Sequence, residues 1–214
     1  MLFKWLSRIY HAIVLIIFLG IFVHIFAPIL VEASPIPNAF INEIHYDNVG
    51  KDINETIEVA GDGNLDLTGW SIHLYNGANG SVYNSFKLDN WTTIDSNNFG
   101  FLAIKTSGLQ NGSPDGIALS DGASFLQFLS YEGVFTATSG IAKGLTSIDV
   151  GVFEASDTQE GLSLQLTGKG RIYSDFTWSY PDVSSFSGVN NKQSFVVDNA
   201  LIISVSEPSN LLLF

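Results

Sequence analysis

The stretch Asp66-Leu67-Thr68-Gly69-Trp70-Ser71-Ile72-His73-Leu74-Tyr75 decides the fold class. A turn rich in Asp and Gly delivers a Trp to the head of an alternating run. Trp70, Ile72 and Leu74 share one face; Ser71, His73 and Tyr75 share the other. That is the period-2 pattern of a half-buried β-strand. Trp70 reads as packing, because a Trp that opens such a strand has a large apolar surface to bury.

The same texture extends in both directions. Alternating runs cover Phe40 to Tyr46, Glu55 to Val59, Ser81 to Leu88, Phe101 to Lys105, Gly116 to Leu119, Ser124 to Tyr131, Ser163 to Thr167 and Phe176 to Trp178. Between them stand Asn76-Gly77, Asn79-Gly80, Asn111-Gly112 and Asp121-Gly122, dipeptides that supply the positive φ of tight hairpins. Short strands spaced by turn signals, with no helical periodicity and no internal repeat after the N-terminal segment, predict an all-β sandwich or barrel. The stretch from Thr136 to Glu160 is less regular and reads as a long connection with one short strand within Ser147 to Val152.

The N-terminus has a different character. Lys4 and Arg8 precede an almost wholly apolar run from His11 to Val31, and Val31-Glu32-Ala33 offers a small-residue cleavage site. Residues 1–33 read as a secretory signal peptide, with an uncleaved anchor as the alternative, because the run approaches the roughly 20 residues that span a bilayer. Either way the remainder is expected outside the cytoplasm, secreted or at the cell surface. Residues 34–38 are an exposed lead-in, 39–182 the sandwich and 183–214 a tail. There is no Cys, so neither disulfides nor thiolate chemistry enter, which suits a bacterial exported protein. Residues 34–214 hold 7 basic and 20 acidic side chains, a net charge of −13. That charge and the scatter of the basic residues argue against direct nucleic-acid binding.

Taken in order, these segments resemble the lamin tail domain, an immunoglobulin-like sandwich. The resemblance rests on Phe40-Ile41-Asn42-Glu43-Ile44, then Glu55-Thr56-Ile57-Glu58-Val59, then Asp66-Leu67-Thr68-Gly69-Trp70. It continues through Gly108 to Leu119 and Gln127 to Gly133, and covers roughly Ala39 to Ser179. Thr56 stands where the family usually has an aromatic. Asn42, Glu43, Glu58, Gly69 and Trp70 are its landmarks. The resemblance implies a non-catalytic module that engages partners, of the kind that accompanies secreted bacterial nucleases. The chain has no room for a nuclease beside the sandwich. At the far end, Ser206-Glu207-Pro208-Ser209 and Leu211 to Phe214 resemble the start of a Pro-Glu-Pro C-terminal sorting signal. The first Pro is replaced by Ser206, and no basic cluster follows.

Chemistry finds few candidates. His45 and His73 are expected as strand-surface histidines, with no Gly-x-Ser-x-Gly elbow to build a triad. Adjacent strands could bring Glu43 near Glu55 or Glu58, an acid–base pair in principle, but an exposed strand face is the blander and favoured expectation. Asp47, Asp52, Asp62 and Asp66 lie in oxygen-rich turns that would suit Ca²⁺ as a minority alternative, against ordinary self-capping turns. No other cofactor is implied. Trp91 is expected as the exposed contact, and Trp91 or Tyr180 would serve a carbohydrate-binding version of the module. The sequence thus predicts an extracellular binding or scaffolding sandwich whose partner is a protein or glycan at the cell surface. The rival reading is a secreted nuclease or hydrolase fragment.

Overall fold

Twelve short strands carry the alternating runs in the computed structural model, which describes residues 38–196. They are β1 (Ala39–His45), β2 (Thr56–Asp62), β3 (Ser71–Asn76), β4 (Ser81–Lys87), β5 (Thr93–Ile94), β6 (Phe99–Lys105), β7 (Asp115–Ser120), β8 (Phe125–Tyr131), β9 (Ile148–Asp149), β10 (Leu162–Gly170), β11 (Phe176–Val183) and β12 (Gln193–Phe195). One sheet runs β11-β10-β1-β2-β6-β5, with β12 also paired to β10; the other runs β4-β3-β7-β8-β9. The expected signal peptide and the C-terminal sorting-signal resemblance lie outside the described residues. Among the described residues, no helix is long and apolar enough to cross a membrane.

The two sheets bury one core between them. Ile44, Ile57, Phe101 and Leu164 come from the first sheet, and Trp70, Ile72, Leu74, Ile117 and Leu129 from the second. Trp70 is only 4% exposed, as its place at the head of β3 predicts. The turn before it is built by its own residues: Thr68 N donates to Asp66 Oδ1 at 2.8 Å, Trp70 N to Leu67 O at 2.9 Å, and Gly69 takes φ +88°, which favours glycine.

Two expectations are corrected by layers that the alternation does not reveal. Tyr75 belongs to the polar face of β3 by pattern, yet it is fully buried. The segment after β8 folds over the outer face of the second sheet and brings Phe135, Ala137 and Ala142 against Tyr75, Ala118 and Phe128. Ala142 N donates to Tyr75 Oη at 3.0 Å. The irregular stretch from Thr136 is therefore partly a cover, not only a connection. The sandwich also runs past residue 182: β12 pairs in parallel with β10 at Gly168–Gly170, and Phe195 stacks on Phe99 at 3.9 Å between ring centroids.

Candidate functional site

Register places the chemistry on the outer face of the first sheet. His45, Thr56 and Lys105 stand side by side across β1, β2 and β6. In the next row Gln165, Glu43, Glu58 and Ala103 are neighbours across β10, β1, β2 and β6. The apolar residues between them, Ile44 and Ile57, point into the core. Asn42 is the extra residue of a β-bulge, since the β1–β2 register shifts between Ile41 and Glu43.

Glu43 and Glu58 are directly opposed and both fully buried, which corrects the expectation of an exposed strand face. The segment between β11 and β12 covers them and supplies their donors. Ser185 N reaches Glu43 Oε1 at 2.8 Å and Ser185 Oγ reaches Glu43 Oε2 at 3.1 Å; Ser163 Oγ and Gln165 Nε2 also donate to Glu43. Ser187 N donates to Glu58 Oε2, and Asn42 Nδ2 to Glu58 Oε1 at 2.9 Å. Gln193 Nε2 donates to Asn42 Oδ1, and Asn190 Nδ2 to the Asn42 carbonyl. Burial raises both carboxyls. The donors pull each back in part, and Glu43 adds repulsion on Glu58, which is pushed up to about 8. Glu55, the other candidate partner of Glu43, instead accepts from Gly108 N at 2.6 Å.

His45 is 3% exposed, so it is not a surface histidine. Its Nδ1 lies 2.9 Å from Glu154 Oε1 and its Nε2 3.0 Å from the Ile53 carbonyl. A carboxylate and a carbonyl both accept, an arrangement that favours the ring protonated at both nitrogens. Burial pulls its pKa down, but the Glu154 bond and charge and the Ile53 carbonyl outweigh that, and the net shift is upward. Glu154 also accepts from Tyr46 N and Asp47 N, pinning the chain after β9 to the end of β1. His73 is unlike it: its ring bonds Ser71 and Ser85 hydroxyls on the sheet surface, and partial burial lowers its pKa.

Beside this framework a cleft of about 430 Å³ opens between the covering segment and β2–β6. It is lined by His45, Asn54, Thr56, Ala103, Lys105, Gly161, Leu162, Ser184, Phe186 and Ser187. A smaller hollow of about 280 Å³ lies at Asn76 and Gln110 to Asp115, where the Asp115 carboxylate accepts from Gly77 N.

The four aspartates proposed for Ca²⁺ are not brought together. Asp62 pairs with Arg171, Asp66 caps its own turn, and only Asp47 and Asp52 share a loop. Among the described residues no three His, Asp or Glu side chains group as metal ligands. Trp91 is also corrected: it is half-buried, its Nε1 donates to the Leu65 carbonyl at 3.1 Å, and its ring lies over Gly100. Tyr180 is 64% exposed and meets Phe153 edge-on at 6.3 Å. The cleft was missed because its walls come from residues more than 100 positions apart; the alternation of Glu43 and His45 against Ile44 was the available signal. No family model, curated protein or solved structure matches the chain.

Proposed function

We propose that this chain is an exported, non-catalytic binding and scaffolding module resembling the lamin tail domain, which engages a protein or glycan at the cell surface. The observation that carries this reading is how the buried carboxylates are used. Glu43 and Glu58 clamp the segment between β11 and β12 to one sheet face, and that segment walls a cleft; Glu154 holds His45, another lining residue, in place. A site whose walls are fixed before the ligand arrives spends little ordering entropy on binding. The hydrolase alternative draws no support from His45, because both ring nitrogens are already occupied and neither is free to take a proton from a substrate. A carbohydrate-binding form of the reading rests on the exposed Tyr180–Phe153 pair, which offers an apolar face next to water.

An array of bacterial envelope polysaccharides and surface proteins probed with the purified chain tests the module reading. Saturable binding to one class is expected, together with intact plasmid DNA after incubation with Mg²⁺ or Ca²⁺. DNA cleavage that disappears in His45→Ala would overturn the reading in favour of the nuclease.

A further inference from the structure

Four polar groups that line the cleft have no protein partner among the described residues. The Ser184 and Ser187 hydroxyls, the Asn54 amide and the Lys105 ammonium make no hydrogen bond or ion pair among the described residues. Elsewhere Thr106 Oγ1 is the one buried side-chain polar atom left without a partner among the described residues. Two of these cleft residues also hold backbone conformations that L side chains rarely adopt, Asn54 at φ 60° and Ser187 at φ 73°. Such outliers persist where the surrounding structure over-determines them, and they concentrate at ligand sites. Ser187 is over-determined by the bond from its own N–H to Glu58.

The chemistry of the lining then narrows the ligand. Hydroxyls and an amide both donate and accept, and so match hydroxyl groups at any orientation. Phe186 supplies an apolar wall and Ala103 a floor with no bulk. Of the charged side chains that line the cleft, His45 is paired with Glu154 and Lys105 is in no ion pair among the described residues. The volume falls within the roughly 300–1,000 Å³ of small-molecule sites. A bare inorganic anion would leave the hydroxyls and Phe186 idle, and a neutral sugar would leave Lys105 idle.

We propose, resting on the binding-module reading, that the cleft takes an acidic sugar unit: a hydroxylated ring lying against Phe186, bonded by Ser184, Ser187 and Asn54, with its single anionic group on Lys105. Calorimetric titration of the full chain with sodium D-glucuronate, D-glucose 6-phosphate, D-glucose and sodium acetate tests this, and the first two probes separate carboxylate from phosphate. One of the two acidic sugars is expected to bind about fivefold or more tighter than glucose or acetate, the factor that one partly exposed charge pair supplies. Lys105→Met should bring that sugar to the level of glucose, and Lys105→Arg should restore the preference. Ser187→Ala should weaken acidic and neutral sugars alike, and thermal melts show that each variant folds. Equal binding of glucose and glucuronate, or an unaltered preference in Lys105→Met, would overturn the proposal. Silence with all four probes while the chain still binds an envelope polymer would overturn the ligand class and leave the module reading standing; silence with both would overturn the two together.

Discussion

Nδ1 of His45 faces the Glu154 carboxylate and Nε2 faces the Ile53 carbonyl, so both partners favour the charged ring. An imidazolium buried against a carboxylate is costly to break from one side, because the partner left behind is an uncompensated charge. Glu154→Gln is therefore expected to cost about 3 kcal/mol by urea unfolding and to pull the His45 pKa down. Proton NMR titration should find His45 titrating above the ordinary 6.5 and His73 below it. A wild-type His45 that titrates at or below 6.5 would contradict the pairing. Trp91 teaches the same lesson about residues read in isolation. Its loop, rich in Asn, Asp and Thr, suggested exposure, but Gly100 on β6 leaves a space that the indole fills: a Cβ there would meet Trp91 at 2.3 Å. Gly100→Ala should lower stability by about 1–3 kcal/mol through this overpacking, as denaturant unfolding can measure.

Among the elements, the β1–β2 pair carries the buried, directly opposed Glu43 and Glu58. Two carboxylates opposed across an antiparallel pair would repel each other on an exposed face. Here the bulge at Asn42 and the segment between β11 and β12 turn them into anchor points. Glu43→Ala should strand several donors, including Ser185 N and Ser163 Oγ, and cost about 3 kcal/mol, since each stranded buried group costs about 1–3. Amide exchange at Ser185 and Ser187 should accelerate in that variant much more than exchange in β3 or β7. Uniform acceleration would mean that the carboxylate supports the whole fold and not this wall. The strands themselves were legible in the sequence, because a half-buried strand writes its burial into alternate residues; β3 shows this from Trp70 to Leu74. What the alternation hid were covers that come from far along the chain. Tyr75 reads as outward until Ala142 arrives over it, and Glu58 reads as solvated until Ser187 does, 129 residues away. The two-residue strands β5 and β9 and the short β12 are defined by their partners more than by their own sequence.

For the molecule as a whole, the carboxyls shifted by burial move upward, whereas hydrogen bonds lower the exposed Asp66, Asp175 and Asp182. Burial raises Glu43, Glu58, Asp47, Asp115 and Glu132. A carboxyl whose folded pKa is raised contributes stability that is fully present below its unfolded value and lost as pH climbs through the folded one. For Glu58 that window runs from 4.5 to about 8. The raised pKa of His45 adds a loss of the same sign as pH rises past 6.5. The thermal midpoint is thus expected to fall by about 5–10 °C between pH 5.5 and pH 9, taking a few kcal/mol at about 2–4 °C each. A midpoint that is flat or rises over that range would contradict the upward shift of the buried carboxyls. The fold class was legible in the sequence because period-2 runs and Asn-Gly turns are local signals. The cleft was not, because it is assembled from β1, β2, β6 and a segment that lies beyond residue 182, where the sandwich was expected to end. The contact surface proposed for this chain is the one that the clamped segment presents. The most direct test is the backbone amide spectrum of the full chain titrated with the envelope polymer or acidic sugar that it binds. Shifts concentrated at Asn54, Lys105 and Ser184 to Ser187 are the expected result, and shifts confined to the β4 edge or to the hollow at Asp115 would contradict it.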